Sequence, residues 1–262
     1  MSIKRLAIAI SFFYRESRLQ YLKTITEAHN NLAESSTTFI ITNTKESEEI
    51  AKIKEYAQSK ELNIITPTYI GHPYLLTWAH RSVFKECITK HLGYSHFLYT
   101  EDDLLITREN IDYWLEGMQR LKKINCIPGF VRYEINQQGK AVSTDIINSV
   151  DIKSVPKVDS DGYKMISLPK PYQAMYLLNE KLADEFLFSD AASPDHGFWH
   201  IREKAAQGLT FWKFPNWSNS RHFVGVTAEL VIDPRALIHH LPNNFALNTD
   251  APHGKLELKL LI

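Results

Sequence analysis

The chain has 262 residues, and its 30 Lys plus Arg are matched by 30 Asp plus Glu, so its formal net charge is zero. That balance argues against a protein built to grip a nucleic-acid backbone or an anionic membrane, since both favour a basic excess. A hydrophobic share of 44% excludes a disordered chain, and Cys87 and Cys126 are too few for a disulfide framework or a thiolate zinc cluster.

Lys4 and Arg5 precede an apolar stretch over residues 6–13, as at the start of a secretory signal, but Tyr14, Arg15 and Glu16 stand where small cleavage-site residues would be. A strand buried on both faces explains the same letters, so residues 6–12 are expected as the first strand. No apolar run approaches the roughly 20 residues of a spanning helix. A reducing cytoplasm fits the two cysteines, and peripheral attachment to a membrane-bound complex stays open.

Ser17 with Gln20 has the spacing of a capping box ahead of Leu19, Leu22, Ile25 and Leu32, the apolar face of a first helix. Residues 38–42 read as a strand. Ile50, Ile53 and Ala57 mark a second helix, and residues 62–66 a third strand. Leu75, Leu76, Ala79, Val83 and Cys87 set the period of a third helix, and residues 96–100 form a fourth strand. Thr107 can cap a helix carrying Ile111, Trp114, Leu115, Met118 and Leu121. This alternation predicts an α/β fold with a doubly wound, mostly parallel central sheet flanked by helices.

The second half is expected to be mixed α+β. Residues 127–134, 141–147, 163–168, 174–178, 226–232 and 236–240 read as short strands. Asn179 can cap a helix through Phe188, and residues 197–207 read as a helix ended by Gly208. With no repeat or flexible linker, the simplest organisation is one domain over residues 1–262, made of a regular part, 1–125, and an irregular part, 126–262.

The segment His96-Phe97-Leu98-Tyr99-Thr100-Glu101-Asp102-Asp103 carries the most chemistry. An apolar strand delivers three consecutive carboxylates to the carboxyl edge of the sheet, where open α/β folds bind ligands. Adjacent acids repel one another unless a cation or hydrogen-bond donors compensate them. Hard oxygen ligands suit Mg2+ or Mn2+, especially where the ion also holds substrate phosphates. The competing reading is a solvated acidic turn before the next helix.

With these residues the chain resembles the GT-A glycosyltransferases. The likeness covers the opening Ile8-Ala9-Ile10-Ser11-Phe12-Phe13-Tyr14-Arg15, the helix Leu76-Thr77-Trp78-Ala79-His80-Arg81, the Glu-Asp-Asp segment, and His239-His240-Leu241-Pro242-Asn243-Asn244. It implies a metal-dependent enzyme that moves a sugar from a nucleotide-diphosphate sugar to a glycan or glycoconjugate acceptor, as in polysaccharide biosynthesis. Residues 1–125 would bind the donor; residues 126–262 would bind the acceptor and supply catalysis. Glu-Asp-Asp would be a variant of the D-x-D motif. Asp103 would then ligate Mn2+ or Mg2+ directly, while Glu101 and Asp102 contact ribose or metal-bound water.

Further roles follow from the same likeness. Ser11, Tyr14 and Arg15 would hold the nucleoside, with Phe12 and Phe13 in the core. Arg81 would offer its charge to the nucleotide, or else stay a solvated surface arginine; Trp78 reads as core. His240, chosen over His239, would complete the metal shell, against a structural role in hydrogen bonding. Asp195 would be the base of an inverting displacement, or else a helix N-cap, with Glu203 or Asp190 next in line. His196 and His200 have i, i+4 spacing but lack the H-E-x-x-H pattern of a zinc site. Aromatics over residues 171–176 and 211–217 could wall an acceptor site or fill the core. A sugar nucleotidyltransferase is an alternative, although the first loop lacks the glycines that would cradle a phosphate. A non-catalytic carbohydrate-binding or scaffold protein is another.

Overall fold

The computed structural model describes residues 2–68, 71–169, 171–197, 199–214 and 219–262. The chain forms two compact units, Met1–Thr107 with Ala174–Leu209, and Arg108–Gln173 with Thr210–Ile262. This division differs from the one expected at residues 125 and 126. The helix after Thr107 goes with the second unit, and residues 174–209 return to the first.

Strands and helices are numbered in chain order. The first unit holds β1 (Arg5–Phe12), β2 (Ser35–Thr42), β3 (Leu62–Ile65), β4 (His96–Glu101) and β5 (Leu104–Leu105), with α1 (Leu19–His29), α2 (Ser47–Tyr56) and α3 (His80–Thr89). The returning segment adds β11 (Met175–Asn179), α5 (Glu180–Leu187) and α6 (Ile201–Ala205). The sheet order is β11-β4-β1-β2-β3. β1 runs parallel to both β2 and β4, β2 runs parallel to β3, and β11 closes the edge antiparallel to β4. The chain therefore winds outward from β1 to β3 and then crosses back to place β4 on the other side of β1. Every residue of β1 after Arg5 is buried, which accounts for its unbroken apolar run.

Local differences from the sequence reading have physical causes. The Ser17 and Gln20 capping box does not form; a 3-10 turn over Glu16–Arg18 leads into α1, whose N-cap is Arg18 with no side-chain cap. The expected third helix begins as a 3-10 turn, Pro73–Trp78, and becomes α-helical only from His80. Asn179 caps α5 as expected, its Oδ1 accepting from the Leu182 N–H at 3.0 Å. The helix expected over 197–207 shrinks to α6. Gly208 still earns its residue type, because at φ +50° a Cβ there would lie 2.8 Å from the Tyr176 ring.

The second unit contains α4 (Arg108–Leu121), β6 (Ile127–Pro128), β7 (Val131–Ile135), β8 (Ala141–Ser143), β9 (Lys157–Ser160), β10 (Tyr163–Ile166), β12 (His222–Val226), β13 (Leu237–His240) and α7 (Asn244–Leu247). One sheet runs β6-β12-β10-β9. Elsewhere β7 pairs antiparallel with β8 and parallel with β13. The strand expected over 127–134 is thus two strands. Gly129 marks the break: its N–H bonds the Phe223 carbonyl, and a Cβ there would lie 2.9 Å from His222 Cβ. The strand expected over 226–232 is displaced to β12, and Val226 faces Ile232 across a tight turn instead. No described helix is long and apolar enough to cross a membrane. Both cysteines are buried and unbonded.

Candidate functional site

The first unit brings several of the sequence candidates to one sheet edge. β1 lies between β2, reached directly, and β4, reached by crossing back, so the winding reverses between β1 and β4. Open α/β sheets bind ligands beyond the carboxyl ends of the strands at such a reversal. Ser11 and Glu101 are register partners at those two ends. Asp102 and Asp103 form the turn that joins β4 to the short β5, where Leu104 is fully buried.

That turn is not a solvated acidic loop. Asp102 is 5% and Asp103 4% exposed. Two adjacent carboxylates are tolerated in so dry a place only with compensation, and Arg18 supplies it. Its Nε donates to Asp102 Oδ2 at 2.6 Å, and its Nη2 donates to Asp102 Oδ1 and, at 2.7 Å, to Asp103 Oδ2. Burial opposes the Arg18 charge, but the hydrogen bonds and negative charge of Asp102 and Asp103 more than offset it and raise the guanidinium pKa. Burial likewise pushes the Asp102 carboxyl up, to about 7; the charges of Asp103 and Glu101 add to that while Arg18 resists. The bidentate fork favours the ionised carboxylate, so burial and fork pull against each other at this residue.

Sequence reasoning passed over Arg18. The signal was present: three acids after one strand need a nearby cation, and the loop after the neighbouring strand offers Arg15 and Arg18. Only the register of β1 beside β4, together with the 3-10 turn, decides between the two. Arg15 is exposed and precedes the turn, its carbonyl accepting from the Arg18 N–H at 2.9 Å. Tyr14 is half-buried, with its N–H on Asn43 Oδ1 at 2.7 Å, which ties the loops after β1 and β2 together. Phe12 is core as expected; Phe13 is 44% exposed, because it lies one residue past the last ladder position.

Ser11 Oγ and Thr42 Oγ1 are buried at the ends of β1 and β2 and make no hydrogen bond among the described residues. Ser11 lies close enough to the buried Tyr99 hydroxyl to affect its protonation, although neither makes a hydrogen bond of normal geometry. Burial, followed by the charge of Glu101, raises the Tyr99 pKa far above the usual phenol value, and Arg202 acts weakly the other way.

Arg81 is drawn into structure. Its Nη1 donates to the Ala192 carbonyl, its Nε to the Trp78 carbonyl at 3.3 Å, and its guanidinium stacks 5.0 Å from the Trp78 ring centroid. Trp78 is core, and its indole N–H reaches the Ile201 carbonyl at 2.7 Å. These bonds fasten the segment bearing Asp195. Asp195 is exposed in a turn, its N–H on Ser193 Oγ at 3.2 Å. It is not a helix N-cap, since α6 starts only at Ile201 and its N-cap position is His200. For the same reason His196 and His200 do not share a helical face. Asp190 opens a 3-10 turn, and Glu203 accepts from Arg202 at 3.0 Å.

In the second unit, alternation separates the two histidines as expected. His239 stacks on Tyr133 with centroids 4.9 Å apart, while His240 is buried. His240 Nδ1 bonds Glu134 Oε1, and Glu134 Oε2 accepts from the Ala246 N–H. A carboxylate on one ring nitrogen is how proteins fix the tautomer of a histidine that works through the other. Of the candidate aromatics, Tyr172 is covered by Arg132 at 4.7 Å, Tyr176 is buried, and Phe211 meets Phe214 edge-on at 6.5 Å. Phe198 and residues 215–217 lie outside the described residues.

A divalent ion can be tested against this donor set. Among the described residues, no three His, Cys, Asp or Glu side chains form a metal cage. Mg2+ and Mn2+ bound with nucleotides commonly take only one or two carboxylates, the phosphates and water completing the shell. Asp102 and Asp103, two buried carboxylates on one turn, suit that second kind of site. No known protein family matches the chain, and no characterised protein matches it in sequence.

Proposed function

We propose that the chain is a GT-A-type glycosyltransferase, taking a sugar from a nucleotide-diphosphate sugar to a glycan or glycoconjugate acceptor with a divalent ion. The observation that carries this reading is the buried acid pair at the winding reversal of a parallel sheet. Asp103 would hold the ion, with Glu101 and Asp102 toward ribose or metal-bound water. When bound, the ion would stabilise the charge that builds on the departing nucleoside diphosphate. Ser11 and Tyr14 line the same edge and suit the nucleoside, and Arg15 stands exposed beside them to pair with phosphate. Asp195, exposed and carried on a fastened turn, would take the proton from the acceptor hydroxyl as its oxygen attacks the anomeric carbon in an inverting displacement.

A thermal-shift screen of UDP, GDP, ADP and CDP with and without Mn2+ tests the reading. One nucleotide at about 100 times its Kd should stabilise the protein by about 2.7 kcal/mol, and only with the ion present. Asp103→Ala should abolish that shift. A shift of unchanged size in Asp103→Ala, or none with any nucleotide, would overturn the assignment.

A further inference from the structure

The loop that carries Asp195 has its feet at Ala192 and Ile201, and the start of α3 holds both. Arg81 Nη1 donates to the Ala192 carbonyl, and the Trp78 indole N–H donates to the Ile201 carbonyl at 2.7 Å. Trp78 and Arg81 stand one turn apart where the 3-10 turn passes into α3, and they hold each other. Arg81 Nε donates to the Trp78 carbonyl at 3.3 Å, and the guanidinium lies 5.0 Å from the ring centroid. Residues at that spacing are neighbours on a helix, so the two feet are drawn to adjacent points of one support. The support is itself anchored. Trp78 is 2% exposed, and Val83, Phe84 and Cys87 are buried along α3, which packs against β1.

The interior of the loop is tied as well. Lys204 Nζ donates to the Pro194 carbonyl at 3.1 Å, the Asp195 N–H to Ser193 Oγ at 3.2 Å, and the His196 N–H to the Ser193 carbonyl at 3.1 Å. At Gly197, where φ is +89°, a Cβ would collide with the Gln207 side-chain oxygen. Asp195 itself nevertheless stays exposed. Arg81, Trp78 and Lys204 thus aim their N–H groups at the backbone around an aspartate that faces water. A guanidinium set on a backbone carbonyl neutralises no acid there; what it contributes is the place of that carbonyl.

We propose that Arg81 is a positioning residue: together with Trp78 it closes the Asp195 loop on one support and so fixes where that carboxylate stands. This rests on the reading of Asp195 as the base. A base must come within hydrogen-bond reach of the proton it removes, and a displacement of about 1 Å can cost about a hundredfold in rate. Without Arg81 the loop keeps its Ile201 foot, but Asp195 spreads over positions of which few are productive. The loss falls on turnover. An arginine that gripped the nucleotide would lose donor affinity instead.

Hydrolysis of a panel of UDP-, GDP-, ADP- and CDP-sugars with Mn2+, in which water replaces the acceptor, tests this on the full chain. Arg81→Met should lower kcat roughly tenfold or more and leave KM for the sugar nucleotide within about twofold. Arg81→Lys, which can still reach the carbonyl, should recover most of the loss. A raised KM with unchanged kcat would make Arg81 a nucleotide ligand and overturn the proposal. Backbone 15N relaxation supplies a readout that needs no substrate. The Asp195 and Gly197 amides should have order parameters of about 0.85 in wild type and below about 0.6 in Arg81→Met, and equal rigidity in both overturns the proposal. If Arg81→Met does not fold, Trp78→Phe, which keeps a ring and deletes the N–H, should loosen the same amides; if they stay rigid, the proposal fails. Undiminished hydrolysis by Asp195→Asn would defeat the base reading alone, and the order parameters would still decide whether Arg81 fixes the loop.

Discussion

The acidic turn of the first unit and the Glu134–His240 pair of the second bury carboxylates by opposite means. Asp102 and Asp103 share a guanidinium that keeps 30% of its surface, on a side chain entering from a short turn. Glu134 is fully buried, its oxygens shared between an imidazole that is 6% exposed and the Ala246 N–H. The first arrangement has a partner that reaches water; in the second, both carboxylate and imidazole are shut away from it. Losing a partner costs most where carboxylate and partner are both buried, and less where the partner still reaches water.

Removing Glu134 should therefore produce the largest effect. Glu134→Ala leaves His240 and the Ala246 N–H without their buried acceptor, and should cost about 3 kcal/mol or more in chemical denaturation. A loss below about 1 kcal/mol would break the contrast with the acidic turn.

Acid titration sharpens the comparison at intermediate scale. Burial lowers His29, His80 and His222 to about 3. Between about 3 and the unfolded value near 6.5, the unfolded chain binds more protons, so stability must be lost as pH falls through that window. Each imidazole adds a slope of up to about 1.4 kcal/mol per pH unit. Asp102 works in the other direction. Raised to about 7 from 3.8, it gives a contribution that is present in acid and lost as pH rises toward 7. Asp102→Asn removes this opposing contribution, so its acid branch should be steeper than that of wild type. A shallower acid branch in Asp102→Asn would overturn this sign and show that the fork keeps Asp102 ionised below its unfolded pKa.

His29 gives the smallest effect and the limiting case, a buried polar side chain with no partner for either ring nitrogen among the described residues. His29→Leu should stabilise the protein by about 1 kcal/mol and flatten the acid branch. Destabilisation would overturn the reading of His29 as a net cost to the fold.

The sequence made the first unit readable because its strands and helices keep separate periods. The apolar run of β1 and the helical spacing of Leu19, Leu22 and Ile25 each have one natural interpretation. The second unit was harder because its pairing is non-local. Nothing within Ile127 to Glu134 announces that Gly129 hands the chain from one ladder to another, and β9, with Lys157 and Asp159 outward, has no apolar alternation to find. At the candidate site the acids were legible from their place after β4. Arg18 was not, because its role depends on a register 84 residues away in sequence. Arg81 was misleading, since a surface-helix arginine carries no mark of the Ala192 carbonyl it binds.

β11 has a consequence for synthesis. Because Met175–Asn179 is the only described neighbour of β4 on that side of the sheet, the strand bearing the acidic turn stays open-edged until β11 has left the ribosome. A truncation after Thr107 would expose the same hydrogen-bonding rim permanently, and such fragments should self-associate through it rather than persist as monomers.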